Sequence, residues 1–371
     1  MRKEAEAFEL KIKTITCHKV YNVGASLQAY ALVRYLSDMG HDVEIIDYQP
    51  EYLCRHYRLN VINNPKYDYP LVRQLYLLAK LPHRLKERRS QKKINFDEFE
   101  KKYLPLTDKC YRSNEDLKEN PPSADIYLAG SDQIWNTIFQ NGKDPAFYLD
   151  FAPKGSIKAS YAASFAIKDI QEEWKENVKF WIEQLDFISV RESSGVKIIE
   201  KLGVNKAVQV MDPVFLLHRS IWEELSGEFK VKEPYLLIYD FENSEDIKCF
   251  ARKIAKERRL KMYAIFRDPL ADCCFAQAGP LEFLKLIRGA EYVVSNSFHA
   301  TAFAIIFEKP FAVFERKEQI NTRMRDILEL LNLKKNNDEL KYHTIMENQI
   351  DKSKEYLKKI LDVASEKGYN K

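Results

Sequence analysis

The sequence predicts an α/β protein of two halves, each a parallel sheet with flanking helices, facing each other across a cleft. Three observations carry that expectation. The chain has 371 residues, more than one ordinary hydrophobic core organises. Short apolar strands alternate with helical patterns, and the alternation restarts near Ala207. In both halves small, polar or charged residues follow directly after strands, at the carboxyl edge of a parallel sheet where such folds bind ligands. The division is placed between residues 1–205 and residues 206–371.

Residues 11–16 alternate like a strand, residues 22–25 read as a tight loop, and Ser26 is placed to cap a helix through Leu27, Tyr30, Ala31 and Leu36. With the strand at residues 42–48 they form a βαβ unit that resembles a nucleotide-binding start but lacks the GxGxxG fingerprint. Residues 71–103 read as helical with a basic middle, Lys80, Arg84, Lys86, Arg88, Arg89, Lys92 and Lys93 against Glu87. A solvated helix face is the plain reading of that run. The sharper one is a landing surface for anionic lipid or a lipid-linked glycan, near residues 80–93.

The strand at residues 126–129 runs into Gly130-Ser131-Asp132-Gln133, which lines a sheet edge or is a turn capped by Asp132. Further strands are expected at residues 158–165 and 187–190, the latter ending in Arg191. An arginine beyond an apolar strand can reach an anionic ligand with a planar donor fork, or pair with Glu192 or a distant carboxylate.

In the second half, residues 208–211 read as a strand ending at Asp212, whose plain explanation is an Asx turn before Pro213. Strands at residues 235–241 and 261–266 follow, the second ending at Arg267, and a helix begins at Pro280. Residues 292–314 read as strand, polar turn (Ser295-Asn296-Ser297), buried helix and strand. The unpaired N–H groups of that helix's first turn make an anion site, and its dipole favours a neutral His299 available for proton transfer. An amphipathic helix is expected at residues 321–331, and a charged one from about Lys352 is expected to cover the domain junction.

Composition excludes several classes. The 59 basic and 55 acidic residues leave a net charge of +4, which supplies no drive toward nucleic acid. Six cysteines without a CxxC pair, and seven histidines scattered singly, predict neither a disulfide framework nor a bound metal. The first residues lack the apolar core of a signal peptide, and nowhere do eighteen apolar residues run together, so a cytoplasmic protein is expected, one that can still dock at the inner membrane face.

Five motifs in order add a resemblance. Residues 22–32 (NVGASLQAYAL), 130–136 (GSDQIWN), 188–192 (ISVRE), 211–217 (MDPVFLL) and Ser297-Phe298-His299 together resemble the polysaccharide pyruvyl transferase family. The resemblance implies a GT-B-like fold of two Rossmann-like domains and transfer of a pyruvyl group from phosphoenolpyruvate onto a sugar of a surface polysaccharide or a lipid-linked precursor, forming a ketal; no cofactor is expected. It assigns the donor site to His299 and Arg191.

Other branches of the family carry Arg-Leu-His where this chain has Ser297-Phe298-His299. A serine hydroxyl cannot replace a bidentate cation, so another arginine is expected to grip the donor: Arg191, Arg267 or Arg323. His299 is then the general acid or base, with Ser297 at the anion-binding helix start. Asn22, Gly24, Ser131 and Asp132 would meet the acceptor. The rival readings are a glycosyltransferase using a nucleotide sugar and an inert glycan-binding protein of the same fold.

Overall fold

The structure, a computed structural model, describes residues 9–54, 69–228, 232–317, 322–337 and 343–369. The first half contains β1 (Lys11–Ile15), α1 (Val23–Asp38), β2 (Asp42–Tyr48), α2 (Pro70–Arg88), α3 (Gln91–Tyr103), β3 (Leu106–Tyr111), α4 (Asn114–Glu119), β4 (Ile126–Ala129) and β5 (Ile157–Ser160). It continues through α5 (Lys175–Glu183), β6 (Ile188–Val190), α6 (Ser193–Lys201) and β7 (Ala207–Gln209). The second comprises α7 (Arg219–Ser226), β8 (Tyr235–Tyr239), α8 (Glu245–Arg258), β9 (Lys261–Ala264), β10 (Cys273–Cys274), α9 (Pro280–Gly289), β11 (Tyr292–Ser295), α10 (Phe298–Ile306) and β12 (Phe311–Val313). It closes with α11 (Thr322–Leu330), β13 (Asn336–Asn337) and α12 (His343–Tyr369).

The first sheet has the order β3-β2-β1-β4-β5, all parallel, and the second has β10-β9-β8-β11-β12-β13 with only β13 antiparallel. In both, the chain reverses direction across the sheet beside the first strand, β1 and β8, which opens a crevice at the carboxyl ends of the strands. These are two Rossmann-like sheets facing each other across a cleft, a GT-B-like arrangement.

One apolar cluster joins the halves below the cleft, from Ile12, Leu27 and Tyr30 through Val214, Phe215 and Trp222 to Phe303, Leu357 and Leu361. Trp222 bridges the halves within it, edge-on to Tyr30 at 5.7 Å and to Phe303 at 4.9 Å. The expected buried helix is α10, every residue of which is buried. It explains why residues 298–306 show no amphipathic period: every side of the helix meets protein.

Several expectations shift. β7, which the 205/206 division gives to the second half, pairs in parallel with β6 in a separate two-stranded sheet. The helix expected from a Ser26 cap starts one turn earlier, capped by Asn22, whose Oδ1 accepts from the N–H groups of Gly24 (2.9 Å) and Ala25 (3.2 Å). β5 stops at Ser160 because Ala162 turns to φ 50°. α12 begins at His343, earlier than expected, and crosses the junction: the Tyr356 hydroxyl donates to Ser160 O at 2.9 Å and Ser353 Oγ accepts from Met211 N at 2.9 Å.

Candidate active site

The first turns of α1 and α10 meet in the cleft, one from each half. A Cβ on Gly24 would lie 2.0 Å from His299 Nδ1, so the residue that reads as loop glue is glycine to let the imidazole approach the α1 backbone. Gly24→Ala must push the imidazole aside or part the halves. The expected result is a loss of turnover on the order of 100-fold, from displacement by about an ångström, together with a destabilisation of about 1–3 kcal/mol. Wild-type kinetics with an unchanged melting curve would show that the contact does not matter.

Behind this contact lies a buried ion cluster. Arg191, beyond β6, donates through NH1 to Asp212 Oδ2 and through NH2 to Asp132 Oδ1 at 3.1 Å, and Arg323 NH1 reaches the same Asp132 oxygen at 3.1 Å. The Asp212 Oδ2 atom is also 3.7 Å from His299 Nε2, too long for a hydrogen bond but close enough to stabilise the ring whenever it is protonated. Phe298 lies under both cations, with the Arg191 guanidinium 4.6 Å and that of Arg323 6.0 Å from its ring centre.

This arrangement sets the protonation states. Burial opposes ionisation of Asp132, yet Arg191 and then Arg323 hold its carboxyl down at about 2. Burial lowers His299 below the ordinary histidine value, while Asp212 and Asp132 work against that shift. Arg323 is lowered to about 10 by burial and by the Arg191 charge. Burial raises Glu192, opposed by Arg191; its Oε1 accepts from Ser164 Oγ (3.0 Å) and Ala166 N (2.9 Å). At neutral pH Asp132 is therefore ionised between two guanidinium ions, and the His299 imidazole is neutral.

A cavity of about 130 Å³ opens against the cluster, lined by Asn22, Asp132, Gln133, Phe241, Asn296, Ser297, Phe298, His299, Arg316, Arg323 and Met324. His299 Nε2 and Arg323 Nε are buried without a hydrogen-bond partner among the described residues. Such atoms are costly to bury unless something else completes their bonding. Ser297 caps α10, its Oγ accepting weakly from Ala300 N at 3.5 Å.

Not all the residues expected from the sequence reach this cavity. His299, Ser297, Arg323, Asn22 and Asp132 line it. Gly24 touches it through His299. Arg191 is not in the lining: its terminal nitrogens brace Asp212 and Asp132, and its Nε, like that of Arg323, is buried without a hydrogen-bond partner among the described residues. Asp132, expected to meet the acceptor, lines the cavity with its Oδ1 as the counter-charge of both arginines. The Ser131 side chain is fully buried outside the lining, and its hydroxyl donates to Ala162 O at 2.8 Å. Arg267 is exposed on the loop after β9 and does not line the cavity.

Other members were not expected. Asp212 does form the Asx turn, Oδ1 accepting from Val214 N at 3.1 Å, while its second oxygen serves the ion cluster. Arg316 lies beyond β12, its Nε donating to Asn296 O at 3.2 Å and its guanidinium stacked 4.0 Å over Phe241. The Asn296 side chain is clamped between Asp240 Oδ1 (2.6 Å) and Phe241 N (3.0 Å), which stiffens the turn that carries Ser297. Arg316 was legible by the same rule that singled out Arg191, a cation just after a strand.

A profile of the family described as polysaccharide pyruvyl transferase matches residues 22–318. The chain belongs to the polysaccharide pyruvyl transferase family. Pyruvyl transferases of this family are enzymes, and the match takes in the whole cavity lining except Arg323 and Met324. No curated protein matches the chain. Among solved structures, the chain is similar to UDP-GlcNAc 2-epimerase from Neisseria meningitidis bound to UDP-GlcNAc, at 10% identity and a TM-score of 0.47 over 96% of this chain and 94% of that one. A putative UDP-N-acetylglucosamine 2-epimerase from Listeria monocytogenes gives 12% identity and a TM-score of 0.48 over 96% and 90%. The E. coli heptosyltransferase WaaC with ADP-2-deoxy-2-fluoro heptose gives 11% and 0.39 over 86% and 99%.

Proposed function

We propose that the protein transfers the pyruvyl group of phosphoenolpyruvate to two hydroxyls of one sugar in a polysaccharide or its precursor, forming a pyruvate ketal. The observation that carries this reading is the small polar cavity, in which an unpaired imidazole nitrogen and two arginines converge. At about 130 Å³ it suits a three-carbon phosphate and falls well below the 300 Å³ or more that encloses a drug-sized ligand. Arg323 and Arg316 are the donor clamp. Arg316 is the cation that replaces the arginine absent at Ser297, and the N–H groups of the first turn of α10 supplement it.

In the reaction the methylene carbon gains a proton, the neighbouring carbon bonds to two hydroxyl oxygens, and its bond to the phosphate oxygen breaks. Two hydroxyl protons are released; one matches the new methyl group and one leaves with phosphate. Neutral His299 takes the first hydroxyl proton at Nε2 and returns it to the methylene carbon. Asp212, 3.7 Å away, stabilises the imidazolium between those events.

Ligand-dependent melting tests the donor. Phosphoenolpyruvate at a hundred times its Kd is expected to stabilise the fold by about 2.7 kcal/mol, and Arg323→Ala to weaken its affinity about 10- to 100-fold through the lost charged hydrogen bonds. Stabilisation by nucleotide sugars with none by phosphoenolpyruvate would move the assignment to glycosyl transfer. Saturable glycan binding without phosphate release would leave a binding protein.

A further inference from the structure

The helix α2 is amphipathic in an unusual sense: no side chain from Val72 to Arg88 is buried. Of twelve exposed large hydrophobic residues among those described, six fall between residues 69 and 94, which separates this stretch from the scattered apolar exposure normal elsewhere. Val72, Leu75, Leu78 and Leu85 recur at intervals of three or seven, so they share one stripe, and Leu75 and Leu78 are 69% and 65% exposed. The half-buried Leu77, Leu81 and Arg84 lie on the other side.

Charge indicates what covers the stripe. Residues 70–93 hold eight Lys or Arg against the single Glu87, a net +7 in a chain whose total is +4. Lys80, Lys86, Arg88 and Arg89 are exposed beside the apolar residues. A second copy of the chain docked stripe to stripe would bring this positive charge against itself. An anionic bilayer surface satisfies both halves of the pattern, taking the leucines at the headgroup boundary and the cations among the phosphates.

Among the described residues no helix is long and apolar enough to cross a membrane, so α2, 19 residues and about 28 Å long, would lie in the plane. It leads into α3, whose Lys92 N–H donates to Gln277 Oε1 at 3.0 Å and whose Asn95 Nδ2 donates to Gln277 O at 2.9 Å. Those bonds tie the α2–α3 corner to the second half, and Lys92 lies over Phe266, whose ring packs against the cavity residue Phe241.

The geometry points to α2 as an in-plane anchor that holds the cleft of this protein against an anionic lipid surface, with Leu75 and Leu78 inserted and Lys80, Lys86, Arg88 and Arg89 on the headgroups. This anchoring stands apart from the identity of the donor.

Co-sedimentation of the full chain with vesicles tests it, using phosphatidylglycerol mixed with phosphatidylcholine against phosphatidylcholine alone. Wild type is expected to bind only the anionic vesicles and to release them at high salt. Lys86→Gln with Arg89→Gln should weaken binding about five-fold for each cation removed. Leu75→Ser with Leu78→Ser should weaken it about ten-fold or more, and because all four side chains are exposed, both variants should melt like wild type. No binding of wild type to anionic vesicles overturns the inference, as does full binding by the leucine variant. A dimer in light scattering that the leucine variant dissolves, with no vesicle binding, assigns the stripe to a second copy instead.

Discussion

Replacing His299 by alanine is expected to slow phosphate release from phosphoenolpyruvate, in the presence of an acceptor glycan, by about 100- to 10,000-fold, the usual cost of losing one general acid or base. The imidazole is 6% exposed, and its Nε2 has no hydrogen-bond partner among the described residues, so alanine removes the group without orphaning another. The effect should therefore appear in kcat with little change in melting temperature. The pH profile separates a chemical role from a packing one. Burial, opposed by Asp212 and Asp132, holds the His299 pKa below 6.5, so the neutral form persists into mildly acid solution and the acid limb of kcat/KM lies below that value. His299→Gln, which keeps the volume, should remove that limb. Stability follows the same sign: the folded pKa is depressed, so the contribution is complete above pH 6.5 and lost as pH falls through the folded value. Near wild-type turnover in His299→Ala, or an unmoved acid limb in His299→Gln, would end the assignment.

The second large effect is on stability. Asp212→Asn is expected to cost about 3–5 kcal/mol, because it leaves Arg191 buried with Asp132 as its remaining charged partner. The Asp212 side chain is 0% exposed and that of Arg191 3%, so water cannot make up the loss. An exposed pair is the control. Arg34 and Asp38, with side chains 46% and 45% exposed, should give less than about 1 kcal/mol when Asp38 becomes asparagine. If denaturant unfolding places the Asp212 variant as close to wild type as the Asp38 variant, the cluster does not brace the cleft. Since Asp212 and Arg191 belong to β7 and β6 continuations at the junction of the halves, the loss should also loosen the site and lower turnover.

These two predictions rest on residues with different visibility in the sequence. His299 was legible because a polar turn between an apolar strand and an apolar helix marks a sheet edge, and the dipole argument needs only that local order. Arg323 was legible as a cation opening an amphipathic helix. Gly24 was misread. Its glycine looked like part of a loop before a Ser26 cap, whereas Asn22 already caps the helix and the missing Cβ answers to His299, a residue from the other half. Asp212 was read as a turn former, which it is, but one carboxylate has two oxygens and the second was free to meet Arg191, 21 residues away. The α2 stripe was half legible: the cations stood out, while the exposure of Leu75 and Leu78 depends on whether another element covers them.

By itself the sequence determined what local periodicity, capping and turn chemistry can carry: the alternation of strands and helices, two parallel sheets, the position of the cleft edges and the family. Tertiary structure decided which charges face the cavity and which face each other. Arg191 and Arg323 both converge on one oxygen of Asp132, from positions 59 and 191 residues distant, so a cation at a strand end became a brace and a cation on a late helix became part of the wall. Coulomb energy depends on separation in space, and the chain's order does not encode it until the halves close on each other.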